Sequence, residues 1–304
     1  MSIGADLPMR FFRAEVIDAR PVCADMMRVV FGGPGLAEFA STGVGDEYLR
    51  VFFPPEGGAE PVLPVIHGNG RWTYPDGAEP SPMRTYTVRD HRPERGEVVI
   101  DFVVHDGGVA AAWAQRAAPG DVVTLNTPTG MYDPPAGLAW QLLLADSAAL
   151  PAATRIVENC PAGVRTRAVF EVASPDHQVA LPARDGVDVA WMHGGNGHGP
   201  SRLADVLRAA DLPAGLPDGA GYVWVAGETA VLRDARRYLR HELKLPPSAY
   251  KVVGYWTDNG EEYNRRLAEL DEKTQAWLLE PWDSDADEEE QEDEYIARLE
   301  KLGL

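Results

Sequence analysis

The sequence predicts a β + α/β protein: an antiparallel six-stranded barrel, a doubly wound parallel-sheet domain, and a C-terminal helical acidic extension. Residues 8–133 contain about six short strands and little helix, a spacing typical of a closed antiparallel barrel. From residue 140 onward strands alternate with helices, which indicates a doubly wound parallel sheet. We therefore expect three segments, at residues 8–133, 138–260 and 261–304.

The predicted barrel strands are rich in β-branched and aromatic residues, and Pro or Gly clusters such as Pro21 and residues 32–35 interrupt them. These strands are residues 11–20, 26–31, 48–53, 84–89, 98–104 and 121–126. Residues 56–82 are rich in Gly and Pro, so we expect a long loop there.

The α/β segment begins with a continuous apolar run at residues 142–145, as expected of a central parallel strand. Further strands are predicted at residues 164–172, 187–191, 222–226 and 250–255, with helices at 149–160, 202–210 and 229–243. Ligands of such sheets bind beyond the carboxyl ends of the strands. Those ends bring together Asp146, His193, Gly227, Glu228 and Trp256 along one rim.

Composition argues against several classes of function. With 47 acidic and 28 basic side chains the net charge is −19, which disfavours nucleic acid and anionic membrane surfaces as partners. No apolar run predicts membrane insertion, and the first residues lack an apolar signal core, so we expect a cytoplasmic protein. Cys23 and Cys160 are too few for an iron–sulfur cluster, so any electron chemistry requires an organic cofactor.

The C-terminal extension is predicted to contain a charged amphipathic helix at residues 261–279 and a short helix at 294–302. Between them, residues 283–294 (DSDADEEEQEDE) carry nine acidic side chains. Such a run is typical of a solvated or disordered segment.

Residues 83–114 carry the most distinctive pattern of the chain. Alternation along the first strand gives Arg84, Tyr86 and Val88 one face, and Thr85, Thr87 and Arg89 the other. A second strand then leads through His105-Asp106-Gly107-Gly108 into a helix start at Val109, where unpaired N–H groups favour an anion.

This pattern suits a flavin dinucleotide. The ring would rest on Tyr86, Thr87 would hydrogen-bond its reactive edge, and Arg84 with the turn at Val109 would hold the diphosphate. The alternative is an ordinary hairpin and helix with exposed arginines, because short motifs carry false positives.

Four motifs in order resemble the siderophore-interacting protein family: RTYTVR, DFVVHDGGVAAAWA, PGD and GYW, up to about residue 262. The resemblance implies a flavin-dependent ferric-siderophore reductase with a ferredoxin-reductase-like fold. It implies an FAD-binding barrel followed by an NAD(P)H-binding α/β domain. The implied FAD contacts are Arg84, Tyr86, Thr87, Val88, Arg89, Asp101, His105, Gly107, Gly108, Val109, Ala110, Trp113 and Trp256.

Trp256 has two interpretations: stacking on the flavin, as the family pattern implies, or a half-buried aromatic residue at a domain seam. The predicted NAD(P)H contacts are Asp146, Ala148, Gly227 and Glu228. Asp146 is alternatively a helix cap, and Glu228 an acidic residue favoured by a helix dipole.

The nucleotide domain contains no GxGxxG or Walker loop, and it departs from the family pattern. A Gly-Asp-Glu-Thr-type turn is replaced by Ala145-Asp146-Ser147-Ala148, so the choice between NADH and NADPH stays open. Four arginines share one predicted helix face that either meets a 2′-phosphate or is solvated or acid-paired. They are Arg233, Arg236, Arg237 and Arg240.

Arg50 occupies the position of a basic residue in a family strand, and we expect it to contact the anionic ferric siderophore. The family often has a basic residue after GYW, but this chain has Thr257. Lys251 and Arg71 are candidate substitutes or ordinary surface charges. His193 and His198 lack further ligands nearby in sequence, so no metal site is expected.

These observations predict a monomeric ferric-siderophore reductase that uses FAD and NADPH or NADH and releases Fe(II). Two alternatives stay open. The first is a flavin reductase whose acceptor is a quinone, free flavin or dye. The second is a siderophore-binding protein without turnover.

Overall fold

The computed structural model contains two large β-sheets that correspond to the two predicted domains. It describes residues 7–55, 60–67, 72–105, 108–195, 199–213, 216, 220–258, 260–286 and 288–304. None of the helices in these ranges is long and apolar enough to cross a membrane.

The first sheet is antiparallel and has seven strands. These are β1 (Phe11–Cys23), β2 (Met26–Gly32), β3 (Tyr48–Phe52), β6 (Met83–Thr87), β7 (Asp90–Arg92), β8 (Glu97–Val103) and β9 (Val122–Asn126), in the order β6-β3-β9-β1-β2-β8-β7. A small hairpin of β4 (Val65–Ile66) and β5 (Trp72–Thr73) interrupts the predicted loop. Helix α1 (Val109–Arg116) connects β8 to β9.

Two strand predictions are corrected by the structure. The segment at residues 84–89 breaks after Thr87, because the Val88 N–H donates to Glu47 and the Arg89 N–H donates to Val99 on β8. The chain thereby changes its pairing partner from β3 to β8. Strand β1 also continues through Pro21, where its register with β2 shifts, so this exposed proline does not end it.

The edge strands β6 and β7 are joined only by Val88 and Arg89, so the two edges of the sheet meet at these residues. No ladder pairs β6 directly with β7 within the described ranges. The domain is therefore barrel-like, and its closure stays a prediction.

The second sheet is parallel throughout and has the order β12-β11-β10-β13-β14. Its strands are β10 (Trp140–Asp146), β11 (Arg165–Val172), β12 (Val187–His193), β13 (Gly221–Glu228) and β14 (Tyr250–Trp256). Its helices are α2 (Leu150–Glu158), α3 (Leu203–Ala209) and α4 (Thr229–Arg237). The strand order reverses between β10 and β13, which confirms the predicted doubly wound fold class and puts a ligand crevice there.

Successive strand residues point to opposite faces, so the parallel sheet builds two cores. Leu143 and Trp224 pack with α2, and this core continues into the barrel domain through Met26. Leu142 and Val223 pack on the other face, with α3 and α4. The barrel-like sheet has a separate aromatic core.

The C-terminal extension folds into α5 (Gly260–Ala268), α6 (Glu272–Leu279) and α7 (Glu288–Lys301). The single helix predicted at residues 261–279 is divided, because Asp271 caps α6 by accepting from the Thr274 N–H at 3.0 Å. The prediction of a solvated or disordered acidic run is also corrected. Most of the run belongs to α7, which packs on α4. Arg236 pairs with Glu289, and Arg240 Nε lies 2.8 Å from Asp293 Oδ2.

Candidate functional site at the domain seam

Strand β6 carries the predicted flavin-binding side chains at one edge of the barrel-like sheet. Its register pairs Tyr86 with Leu49, and the Tyr86 ring lies 4.3 Å from the ring of Phe102, centroid to centroid. Arg84 is exposed and its Nη1 donates to the carbonyl of Met83 at 2.8 Å. No carboxylate of the described residues pairs with Arg84, so its charge is available to an anionic ligand.

Thr87 lies on the opposite face of β6, against the α/β domain. Its Oγ1 and the hydroxyl of Tyr255 on β14 are both buried and lie close to each other. Burial raises the pKa of Tyr255 well above its ordinary value, and the nearby Thr87 side chain acts against that rise. These two side chains therefore bring β6 and β14 together at the domain seam.

The start of α1 has the geometry of an anion site. Gly108 has φ +89°, in the left-handed region that favours glycine, and a Cβ there would lie 3.2 Å from His105 Cε1. None of the described side chains caps the helix, so first-turn N–H groups are left for a ligand beside Val109 and Ala110. Gly107 lies outside the described residues.

Four other predicted FAD residues have protein partners. Val88 and Trp113 are buried in the barrel core, where the Trp113 ring packs against Phe31, Phe53 and Phe102. Asp101 accepts two hydrogen bonds of 2.7 Å from Arg28, and Arg89 donates to Glu158 at 2.6 Å. For these four residues an FAD contact stays a prediction.

Asp146 organises the rim of the parallel sheet. Its Oδ1 accepts from the N–H of Ala148 at 3.0 Å and Ala149 at 3.3 Å, and its Oδ2 accepts from Trp256 Nε1 at 2.6 Å. Burial raises the pKa of Asp146 to about 6, and the Trp256 hydrogen bond acts against that rise. Asp146 therefore fixes the turn before α2 rather than capping the helix, whose N-cap is Ala149, and it anchors Trp256 at the seam.

The neighbouring strand end completes this rim. A Cβ on Gly227 would lie 2.6 Å from Asp146 Oδ2, so only glycine fits beside the carboxylate. Glu228 caps α4 by accepting from the Val231 N–H at 2.9 Å, which is the structural alternative for this residue. Thr229 Oγ1 donates to the carbonyl of Trp256 at 2.9 Å. Asp146, Gly227 and Trp256 thus form one contiguous cluster.

The two predicted substrate residues have different surroundings. Arg50 lies over Trp72 of the β4–β5 hairpin, with its guanidinium carbon 4.7 Å from the ring centroid. It stands opposite Thr85 in the β3–β6 register. Burial raises the pKa of the Asp46 and Glu289 carboxyls, and Lys251 on β14 acts against both rises, so it lies near these acidic side chains. Arg71 and His198, the other candidates, lie outside the described residues.

Three seam residues were not identified from the sequence. Asp46 is fully buried and accepts from the N–H groups of Met131 at 2.8 Å and Tyr132 at 2.7 Å. Glu47 is also fully buried. Two acidic residues directly before an apolar strand were an available signal, as was Tyr255 inside the GYW motif.

Comparison with known proteins agrees with this geometry. Residues 15–132 match the siderophore-interacting FAD-binding domain, and residues 138–259 match the siderophore-interacting protein domain. The extension lies beyond both matches.

Similar proteins include an NADPH-dependent ferric-chelate reductase of Escherichia coli, 31% identical over 82% of this chain and 93% of that protein. The ferric vibriobactin reductase ViuB of Vibrio cholerae is 29% identical over 85% of this chain and 95% of that protein. The crystal structure of a siderophore utilization protein from T. fusca superposes with a TM-score of 0.71 at 32% identity, covering 83% of this chain and 94% of that chain.

The match to an FAD-binding domain confirms the predicted FAD cofactor. The residues present fit this group: among those that the structure describes, no side chain caps the helix start at Gly108 and no carboxylate pairs with Arg84. The chain belongs to the siderophore-interacting protein family.

Proposed function

We propose that this protein is an FAD-dependent oxidoreductase that uses NADPH or NADH to reduce the ferric iron of a siderophore. The observation that carries the proposal is the meeting of β6, β14 and the β10 rim at one seam, with Thr87, Tyr255, Trp256 and Asp146 as its side chains. The E. coli and V. cholerae relatives, named as ferric reductases, support the same activity.

We propose the following FAD contacts among the described residues. Arg84 and the first turn of α1 would hold the diphosphate, with His105, Gly108, Val109 and Ala110 around it. Tyr86, Thr87 and Trp256 would contact the ring. Bound FAD accepts two electrons together and releases them singly, which nicotinamide does not readily do.

The nicotinamide nucleotide is assigned to the crevice between β10 and β13, where the strand order reverses. Asp146, Ala148 and Gly227 border it, while the Glu228 side chain retains its role as a cap. Arg236 and Arg240 are acid-paired by α7, so they are not assigned to a 2′-phosphate.

The chain's own contribution is positioning. No side chain is required as acid, base or nucleophile; the two domains hold two rings and an iron chelate within electron-transfer reach. Arg50, held over Trp72, supplies positive charge for an anionic chelate. Hard oxygen ligands bind Fe(III) far better than Fe(II), so reduction makes the iron releasable. We propose that the protein acts as a cytoplasmic monomer.

The test is an absorbance spectrum followed by anaerobic titration with NADPH and NADH. We expect a flavin spectrum that bleaches with one of them and recovers on addition of ferric hydroxamate or catecholate siderophore. Equal or faster recovery with quinone, free flavin or dye would instead support a general flavin reductase. A protein that binds ferric siderophore but takes up no flavin would be a binding protein without turnover.

Replacing Arg84 with alanine tests the diphosphate assignment. Losing a charge-assisted hydrogen bond is expected to weaken FAD affinity by roughly 10–100-fold. The unfolding temperature of the apoprotein should not change, because Arg84 is exposed. Arg95→Ala is the control, since its side chain is 68% exposed. Equal FAD affinity in wild type and Arg84→Ala, measured by fluorescence titration, would remove Arg84 from the site.

A further inference from the structure

A buried ion pair joins the two domains beside the proposed site. Arg155 of α2 donates through Nη1 to Glu47 Oε1 at 2.7 Å and to the carbonyl of Val88 at 2.6 Å. Glu47 directly precedes β3, and its Oε2 also accepts from the N–H and hydroxyl of Thr42, each at 2.6 Å. Every oxygen of this carboxylate is therefore used, and Arg155 holds side-chain and main-chain groups of the barrel domain together.

The pair connects the two halves of the proposed site through short, stiff segments. Val88 follows Thr87 directly, so the carbonyl that Arg155 binds is adjacent to the flavin-side seam. Helix α2 begins at Leu150, just after the rim at Asp146, and Arg155 lies about 7 Å further along it at 1.5 Å per residue. Moving Arg155 relative to Val88 therefore moves the nucleotide crevice at Asp146 relative to the flavin contacts on β6. We call these contacts, Tyr86 and Thr87, the flavin seat.

Close packing around the pair leaves little room for such movement. We call residues 43–47 the seam loop. A Cβ on Gly45 would lie 2.5 Å from Ile156 Cγ1 and 3.4 Å from Ile156 Cα, so α2 lies directly against the loop backbone. Asp46 fixes the same loop to β13 through Trp224 Nε1 at 3.2 Å.

We propose that Glu47 and Arg155 are positioning residues that set the alignment between the nucleotide crevice and the flavin seat. This inference rests on the proposed reductase function. Transfer between two bound rings depends steeply on their geometry, and a displacement of about 1 Å can reduce a rate by about 100-fold. Binding of the nicotinamide nucleotide to its crevice between β10 and β13 does not need this alignment.

The experiment compares Arg155→Met and Arg155→Lys with a matched control, Arg236→Lys. Arg236 forms another buried pair, with Glu289, and the side chains of Arg155 and Arg236 are each 9% exposed. The control pair joins α4 to the extension rather than joining the two cofactor domains. Glu47→Gln is a second, milder variant, because it keeps the side-chain shape if Arg155→Met folds poorly.

Two half-reactions are measured anaerobically in the FAD-loaded variants. Bleaching of the flavin by NADPH or NADH should slow about 10–100-fold in Arg155→Met, less in Arg155→Lys, and not in Arg236→Lys. Reoxidation of dithionite-reduced protein by a ferric siderophore does not involve the nicotinamide nucleotide, so it should slow much less than bleaching in the Arg155 and Glu47 variants. Small-angle scattering of the apoproteins should indicate a wider range of domain orientations only in the Arg155 and Glu47 variants.

The outcomes separate this inference from the proposed function. Wild-type rates of bleaching in Arg155→Met and Glu47→Gln would overturn the positioning role. Equal slowing of both half-reactions would also overturn it, because the barrel domain itself would then be damaged. If the wild-type protein neither bleaches with a nicotinamide nucleotide nor reoxidises with a ferric siderophore, the proposed function fails instead.

Discussion

On each face of the parallel sheet, the packed helix carries an arginine that forms a buried ion pair with a carboxylate. On one face, α2 meets the barrel domain through Arg155 and Glu47. On the other, α4 meets the extension through Arg236 and Glu289. Arg236 also donates to the carbonyl of Val252 at 3.0 Å, much as Arg155 donates to Val88.

The two pairs differ in what they connect. The Arg155 pair joins two segments that the family matches include, and it lies between the proposed binding sites. The Arg236 pair attaches helices beyond residue 259, outside both matches. The two pairs are alike in burial and geometry, so they differ only in the elements that they join.

The largest expected effect is on stability, and it should be the same on both faces. Removing one partner of a buried ion pair leaves an uncompensated charge and costs about 3–5 kcal/mol. We therefore expect Arg155→Met and Arg236→Met to lower the free energy of unfolding by similar amounts in urea titrations. If Arg236→Met lowered the free energy of unfolding by less than half as much as Arg155→Met, the two pairs would not be equivalent in stability.

A smaller effect is expected from Gly45→Ala, which tests packing at the seam without changing charge. The added methyl would press on Ile156 of α2, and overpacking of this kind costs about 1–3 kcal/mol. Gly260→Ala is the control, because no atom of the described residues outside its own helix backbone lies within 4 Å of its Cβ position. An unchanged free energy of unfolding in Gly45→Ala would mean that α2 yields easily at the seam.

Local patterns predicted most of this fold because they depend on neighbouring residues. Apolar runs such as residues 142–145 and the strand–helix alternation identified the parallel sheet. The break after Thr87 was not predictable, since it comes from Val88 and Arg89 pairing with distant partners. The acidic run was also misjudged, because its partner α4 is remote in sequence and periodicity carries no information about docking.

Local motifs also predicted part of the candidate site, as they did for the fold. The motifs predicted Arg84, Thr87, Asp146 and Trp256 as site residues; of these, Thr87 lies against Tyr255 of β14, and Asp146 accepts a hydrogen bond from Trp256. They did not identify Glu47, whose importance depends on Arg155 of another domain. Nor did they reveal that Trp113 packs in the core, because a motif does not distinguish a ligand contact from a packing contact.

A pH titration tests the surroundings of Asp146 at the carboxyl end of β10. Asp146 has a folded-state pKa of about 6, above its ordinary value, so protonation favours the folded state and stability decreases as pH rises from about 4 to 6. The fluorescence difference between wild type and Trp256→Phe should titrate with a midpoint near 6, because Trp256 donates to this carboxylate. The same difference measured in an Asp146→Asn background should be flat with pH; a persisting midpoint would assign the titration to another group.

The smallest effect on turnover is expected from deleting part of the C-terminal extension. Deleting residues 283–304 removes α7 and the acid partners of Arg236 and Arg240, so the unfolding temperature should fall. The kinetics of flavin reduction and reoxidation should not change, because α7 pairs with Arg236 and Arg240, which are assigned to neither cofactor. Altered steady-state kinetics in the deletion variant would give the extension a role in turnover.

The most direct test of the account is a crystal structure of the protein soaked in excess FAD. We expect the flavin ring between Tyr86 and Trp256, with its polar edge at Thr87 and its diphosphate at Arg84 and the first turn of α1. A seam that stays empty, or that is filled by protein atoms while FAD binds elsewhere, would contradict the assignment of this seam as the reductase site.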